Sequence, residues 1–447
     1  KFPESAVLVL SISMSVDSNV ITFVRIKEEL YKGKSLPLAY KEGVKSSLSA
    51  ILDSNLTTLI VAIIMFVFGE SSIKGFATML IITIIVTMFT MVFLTRWLLG
   101  LFVKTNYFND KTKLFISVNK EDIPNLSKNE KVKKVPFGKF DFLKNRKLFA
   151  GISAIIIIIG IVTISFCGMN LGIDYRSGTD ITISTEDKLT KKQLNKDLKE
   201  LKLKSSDITI GTDETFIRID DALSGEKVKD VNTYFEDKYE AKVNIGVVSN
   251  IVQKELVKNA FLSVILALIG IIIYVSFRFK FSYAVSGVVA LVHDVLIMIA
   301  LFAIFNFEVS SMFIAALLAI IGYSINDTIV TFDRIREKVS KVDESKLKEE
   351  EFYNLCNTSI QETFSRTIYT SITTLIPVIT LIILGSREIL TFNLAMLFGL
   401  IAGTYSSIFI ATALFMKLEK KNLGKPKKVK RIYTDEFEEK KVKGVNC

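Results

Sequence analysis

The chain has 447 residues, half of them hydrophobic, with a mean hydropathy of +0.40 and a formal net charge of +11. That is too apolar for a water-soluble protein of this size, and the basic residues fall between apolar runs, so the charge requires no nucleic-acid partner. A single histidine excludes a multi-histidine metal site, and three cysteines (Cys167, Cys356 and Cys447) make neither a disulfide framework nor a metal-ligand spacing.

A bilayer core of about 30 Å needs roughly 20 apolar residues to cross it. Nine such runs are read, at about 5–24, 48–68, 74–101, 148–169, 256–277, 281–305, 308–331, 367–385 and 389–416. The first is the weakest, since it carries Ser11, Ser13, Ser15 and Asp17. Residues 1–103 hold three spans, and 104–147 form a Lys-rich linker with Pro124 and Pro136. Residues 148–169 give a fourth span, 170–254 a small polar domain, 255–416 five more spans, and 417–447 a basic tail. Lys/Arg-rich loops alternate with short connectors poor in positive charge. The positive-inside rule then places the basic loops and the C-terminus in the cytoplasm and 170–254 outside. The chain opens with Lys-Phe-Pro and divides three spans against six, so it is expected to be the C-terminal part of a longer protein.

Within 170–254, alternation at Asp180–Ser184, Asp207–Thr212, Thr215–Asp220 and Lys242–Val248 predicts four strands. Thr190 and Gln193 fit a capping box before the Leu194, Leu198, Leu201 stripe, and Val228, Val231 and Phe235 suit a second helix. The order β-α-β-β-α-β is ferredoxin-like. The fold class is therefore an α-helical polytopic membrane protein with one small α+β extracytoplasmic domain.

Two stretches align without a gap: Ser15-Val-Asp17-Ser-Asn-Val-Ile-Thr-Phe-Val-Arg25 and Ser324-Ile-Asn-Asp327-Thr-Ile-Val-Thr-Phe-Asp-Arg334. The likeness continues from 51–60 to 367–376 and from Phe68-Gly69 to Leu384-Gly385, so spans one to three match spans seven to nine in order and orientation. This is a parallel repeat. A carboxylate in an apolar helix costs at least about 2.5–3.5 kcal/mol and marks an ion or substrate path, so Asp17 and Asp327 are the candidate proton-coupling groups. The bland alternative is an interfacial Asp327, late in its span unless the helix breaks at Gly322. Tyr323, Asp327 and Thr331 share one helix face, with Asn326 beside them. Arg366, Thr370 and Thr374 recur at four-residue spacing, and Arg366 facing Asp327 would keep that carboxylate ionised; a snorkelling arginine is the alternative. Asn19, Asp53 and Asn55 extend the polar path in the first repeat, with Ser49, Asp53 and Thr57 as the equivalent stripe. His293-Asp294 lies mid-span, as a proton relay or a structural hydrogen-bonder. Pro377 implies a kink. No nucleotide loop or nucleophile–base pair is present.

These residues carry a family resemblance. Gly172-Ile-Asp-Tyr-Arg-Ser-Gly-Thr179, His293-Asp294 and Gly322-Tyr-Ser-Ile-Asn-Asp327-Thr, with Asp333-Arg-Ile-Arg336, resemble SecF. Ser15-Val-Asp17-Ser-Asn19-Val, Arg25-Ile-Lys-Glu-Glu29, Ile51-Leu-Asp-Ser-Asn-Leu-Thr-Thr58 and Lys74-Gly-Phe76 resemble the last three helices of SecD. The order is that of the fused SecDF family, over nearly all of 5–416. The resemblance implies a non-enzymatic helper of the Sec export channel, within the resistance-nodulation-division superfamily, that spends the proton-motive force on late steps of export. It implies no cofactor or metal beyond the coupling proton. The implied partners are the SecYEG channel, SecA, YajC/YidC-type auxiliary proteins, the unfolded exported polypeptide and membrane lipid. The family's intramembrane Asp in each half matches Asp17 and Asp327, and its intramembrane Arg matches Arg366. Tyr175 and Ser177 depart from the family's GIDFxGGT pattern, and Gly246-Val-Val-Ser-Asn-Ile-Val lacks its Gly-Pro-x-x-Gly. Nothing in these 447 residues matches the first three SecD helices or the large SecD outer domain. Two other readings stand beside this one: an exporter of lipids or small molecules using the same proton helices, and a non-transporting scaffold.

Overall fold

The structure is a computed structural model that describes residues 2–69, 71–124, 140–185, 189–211, 214–342, 347–386, 389–420 and 423. It begins with helices α1 (Phe2–Tyr31), α2 (Leu36–Phe68), α3 (Ile73–Lys104) and α4 (Arg146–Cys167). A small domain follows, with strands β1 (Gly178–Ser184), β2 (Asp207–Ile210), β3 (Glu214–Ile219) and β4 (Lys242–Val248) and helices α5 (Lys191–Glu200) and α6 (Gly225–Tyr239). The chain then returns through α7 (Asn250–Arg278), α8 (Phe281–Ile304), α9 (Ser311–Val339), α10 (Glu349–Leu384) and α11 (Leu390–Glu419). Among the described residues, eight of these helices, α2–α4 and α7–α11, are long and apolar enough to cross a membrane. The remaining run, the first of the nine, lies in α1, which packs against α2, α3 and α10.

Several helices outrun the apolar windows. Hydropathy sees only the lipid-facing stretch, whereas a helix stops where the backbone is broken. Gly33, at φ +84°, makes the turn between α1 and α2, and Pro37 stands in the first turn of α2, where its missing N–H costs nothing. No breaker follows, so most of the basic stretch 25–45 is helical rather than a loop. α9 likewise runs unbroken through Gly322 to Val339, which puts Asp327 near the middle of the helix rather than near its end. α10 continues through Pro377.

The two repeat blocks share details beyond sequence. α2 ends at Gly69 and α10 at Gly385. Each glycine N–H bonds the carbonyl four residues back, Met65 at 2.8 Å and Leu381 at 3.0 Å, and a Cβ at either glycine would strike that carbonyl. The third helix of each block carries a π-turn, Thr90–Thr95 in α3 and Ser407–Ala411 in α11. The blocks interlock through α9, which is buried over nearly all its length and packs on α2, α10 and α11.

In the small domain the strand order is β2-β3-β1-β4, all antiparallel. Alternate residues of the sheet (Ile181, Ile183, Ile217, Ile219) meet Leu194, Leu198, Val231 and Phe235 from the two helices in one core. Thr190 and Gln193 form the capping box: Gln193 N donates to Thr190 Oγ1 at 3.3 Å, and Thr190 N donates to Gln193 Oε1 at 3.1 Å. Thr212 lies outside the described residues. So do 125–139 of the linker and the tail from 424 onward. The described end of the linker is docked rather than loose: Phe142 N donates to Asn357 Oδ1 at 2.9 Å, and Gln361 Nε2 donates to Phe140 O at 2.7 Å, both on α10.

The domain is tied to the start of α9. Gly172 N donates to Val309 O (2.9 Å), Val309 N to Asn170 O (2.8 Å), and Ser311 N to Asp174 Oδ2 (2.8 Å). Arg218 on β3 reaches Asp180 Oδ1 at 3.2 Å and Glu308 Oε1 at 2.8 Å. One guanidinium thus stands among three carboxylates. Burial raises the Asp180 and Glu308 carboxyls above their ordinary range, with Arg218 opposing the rise and Asp174 adding to it. A carboxyl raised in the closed contact binds protons more readily there than when the contact opens. The tie is therefore strongest at acidic pH and weakens as pH climbs through the raised values. Arg218→Met is expected to speed exchange of the Gly172 and Val309 amide hydrogens about fivefold, the equivalent of about 1 kcal/mol for two partly exposed pairs. Unchanged exchange in the variant would show that the Arg218 ion pairs do not help to hold the domain.

Candidate functional site

The sequence places its polar residues on helix faces; the packing of α1, α9 and α10 stacks those faces into layers. Asp17, Asp327 and Arg366 are 3%, 5% and 4% exposed. Arg366 Nη2 donates to Asp17 Oδ1 at 3.1 Å, and Asn326 Nδ2 donates to Asp17 Oδ2 at 2.6 Å. The expected Arg366–Asp327 contact is thus not formed. Arg366 pairs with the carboxylate of the other repeat, because α1 packs against α10 and brings Asp17 to it. Asp327 makes no hydrogen bond or ion pair with a described residue. The layer therefore holds two carboxyl groups and one guanidinium.

One helical turn toward the small domain lies a hydroxyl layer. Thr374 Oγ1 is 2.5 Å from Ser13 Oγ and 2.7 Å from Tyr323 Oη. Each of these residues is four or eight positions from a member of the carboxylate layer, so the layering follows from the helix repeat. Thr370, buried between Arg366 and Thr374 on α10, donates to Thr367 O at 3.0 Å.

On the other side of the layer is a cavity of about 30 Å³ lined by Ile21, Val24, Ala50, Val330, Thr363 and Arg366. Such a volume accepts a water molecule. Arg366 Nε and Nη1 are buried and make no hydrogen bond to a described residue. Arg25, Glu28, Asp333, Arg334 and Glu362 also line this cavity and, with Glu337, form an ion-pair cluster: Arg334 meets Glu362 at 2.5 Å, Glu337 at 2.8 Å and Glu28 at 3.6 Å, and Arg25 meets Glu28 at 2.9 Å and Asp333 at 3.7 Å. Glu362 and Glu337 escaped sequence reading, although Glu362 lies four residues before Arg366 on the same helical face.

The remaining candidates lie elsewhere. Asp53 is not part of the layer: it accepts from Tyr274 Oη at 2.8 Å and Arg278 Nε at 2.9 Å, both on α7. It sits two residues from Asn55, hence on a different face of α2, and the Ser49–Asp53–Thr57 stripe has no role like that of α10. Asn55 is buried, donates to Ile51 O at 2.8 Å, and has no partner for Oδ1. Asn19 is half-buried and joins none of these contacts. His293 and Asp294 form a second network. Asp294 Oδ2 accepts from Ser324 (2.6 Å) and Ser406 (2.9 Å), while Oδ1 meets His293 Nδ1 (3.0 Å). His293 Nε2 lies 2.8 Å from Ser153 Oγ. The pair thus joins groups on α4, α8, α9 and α11 in one hydrogen-bonded chain. Gly403 is needed beside it, since a Cβ there would lie 2.6 Å from Ser324 Oγ.

A family profile described as protein export membrane protein SecD/SecF, C-terminal, matches residues 5–105 and 227–421, which contain both repeat blocks and every residue of the buried layer. The chain belongs to the SecD/SecF family. The protein translocase subunit SecDF of Bacillus subtilis is 40% identical over 431 residues, covering 95% of this chain and 58% of that one. The SecF subunit of Sebaldella termitidis is 36% identical over 286 residues, covering 62% of this chain and 91% of that one. The crystal structure of SecDF from Thermus thermophilus, described as a translocon-associated membrane protein, superposes with a TM-score of 0.77 at 32% identity, over 94% of this chain and 55% of that one. A SecDF structure in a super-membrane-facing form gives 0.68 at 29% identity. The chain thus spans a little over half the length of its SecDF relatives.

Proposed function

We propose that this chain is the proton-coupled membrane part of an accessory subunit of the Sec export machinery, promoting late steps of preprotein translocation across the cytoplasmic membrane. The observation that carries the reading is the buried Asp17–Arg366 pair with an unpaired Asp327 in the same layer. With Asp327 ionised the layer carries one net negative charge; with it protonated, none. An Arg366 that can serve either carboxylate converts that change into a shift of α1 against α9 and α10. The hydroxyl layer and the cavity, one on each side, are steps of a proton path across the membrane. A proton crossing the field supplies about 2.3 kcal/mol per 100 mV. α9 carries Asp327 at its middle and the tie to the small domain at its start, so movement of α9 reaches the domain.

In this reading α1 completes the nine spans and the basic loops and C-terminus face the cytoplasm. The antiparallel order β2-β3-β1-β4 belongs to a ferredoxin-like domain on the outer side, where an emerging unfolded chain would be met. The partners are the SecYEG channel, SecA and YajC/YidC-type proteins, and the work is transport without enzymatic chemistry or a cofactor.

The test compares membrane vesicles with and without the protein. The protein-dependent fraction of preprotein export is expected to vanish when an ionophore collapses the proton gradient. A protein-dependent fraction that survives undiminished would overturn the reading.

A further inference from the structure

We propose that a groove at the basic end of the bundle, opposite the small domain, binds an anionic phospholipid. α4, α8 and α11 part there around a cavity of about 560 Å³. Its floor is apolar and comes from all three helices: Ala150 from α4, Val289 from α8, and Phe409 and Ala413 from α11. Its rim carries Arg146, Lys147, Lys417 and Lys420. The single carboxylate there, Glu349, lies 2.6 Å from Lys420 Nζ. Lys147 and Lys417 have no ion-pair partner among the described residues. Four cations thus face one anion above a floor that belongs to membrane-crossing helices.

A second observation falls at the same place. The π-turn Ser407–Ala411 forms part of the wall. A π-turn inserts an extra residue into the helix and is concentrated at functional sites. Here it carries Phe409, which stacks on Phe149 of α4 at 3.8 Å between ring centroids. The stack joins α4 to α11 beside the groove.

The chemistry commits to one occupant. A soluble anion would satisfy the rim and leave the apolar floor unused. A zwitterionic lipid would bring its own cation against four others. An anionic phospholipid offers a phosphate to the rim and acyl chain to the floor, the combination for which basic pockets between transmembrane helices select.

The test uses the full chain purified in neutral detergent and native mass spectrometry with phosphatidylglycerol or phosphatidylcholine. Wild type is expected to retain phosphatidylglycerol in preference. Each lysine near an anionic headgroup contributes about fivefold, so K147Q/K417Q is expected to weaken that binding about 25-fold with phosphatidylcholine unaffected. Ala413→Phe fills the floor without touching a charge and is expected to lower retention of both lipids. Equal phosphatidylglycerol occupancy in wild type and both variants would overturn the proposal. So would inorganic phosphate raising the thermal midpoint as much as phosphatidylglycerol does, or a dimer that Ala413→Phe dissociates, which would seat a second copy in the groove.

Discussion

Asp327→Asn is expected to abolish export-linked proton uptake while leaving the protein folded. The substitution keeps the shape of the side chain and removes its one titratable proton. Asp327 has no ion pair to lose, so the change in stability is expected to stay within about 1 kcal/mol. The layer would then be held permanently in its neutral form, with Asp17 and Arg366 still paired, and the alternation that moves α1 against α9 and α10 would stop. Proton flux out of the lumen of energised inverted vesicles, which is uptake through the protein toward its cytoplasmic face, measured beside preprotein export and the thermal midpoint, checks all three consequences. Loss of uptake and export at an unchanged midpoint assigns the coupling to this carboxyl. Uptake and export both at wild-type levels would favour a scaffold. Uptake that responds to a lipid or small molecule without any effect on export would favour an exporter of such compounds.

Much of this site is legible in the sequence, because the membrane makes polar residues conspicuous. An Asp within an apolar run stands out without any knowledge of its neighbours, and its recurrence in a second repeat singles out Asp17 and Asp327. Four-residue spacing identifies the face that carries Arg366, Thr370 and Thr374. Spacing within one helix says nothing about which helix lies opposite, and so Arg366 is matched to Asp327 when its contact is Asp17. The position of Asp327 along its helix is hidden for a related reason. Its apolar run closes near residue 331, but α9 continues as a polar helix to Val339. Asp53 misleads because it resembles a repeat partner while Tyr274 and Arg278 draw it to α7. Ser153 and Ser406 carry no signal at all: each lies more than a hundred residues from Asp294, and only the packing of four helices gives it a role. The small domain is the opposite case. Alternation of period two and a capping box are local signals, and its strands lie within a residue or two of where those signals put them.

Arg366→Met is expected to cost about 3–5 kcal/mol of stability, because it leaves Asp17 as an unpaired charge in a buried site. Asp17→Asn is expected to cost less, because Asp327 in the same layer remains to take the guanidinium, whose Nε and Nη1 already lack protein partners. The double variant removes both charges together, and its loss should fall well short of the sum, since neither ion is left uncompensated. Thermal midpoints of the four proteins in mild detergent measure the cycle. Additive losses would mean that the Asp17–Arg366 contact is not an energetic pair, and the carboxylate layer would lose its organising interaction. Proton uptake separates stability from coupling in the same set. The double variant is expected to regain most of its stability and none of its uptake, because no guanidinium remains to exchange between Asp17 and Asp327. Regained uptake would show that Asp327 titrates and couples without Arg366, and the arginine would then be a structural counter-ion alone.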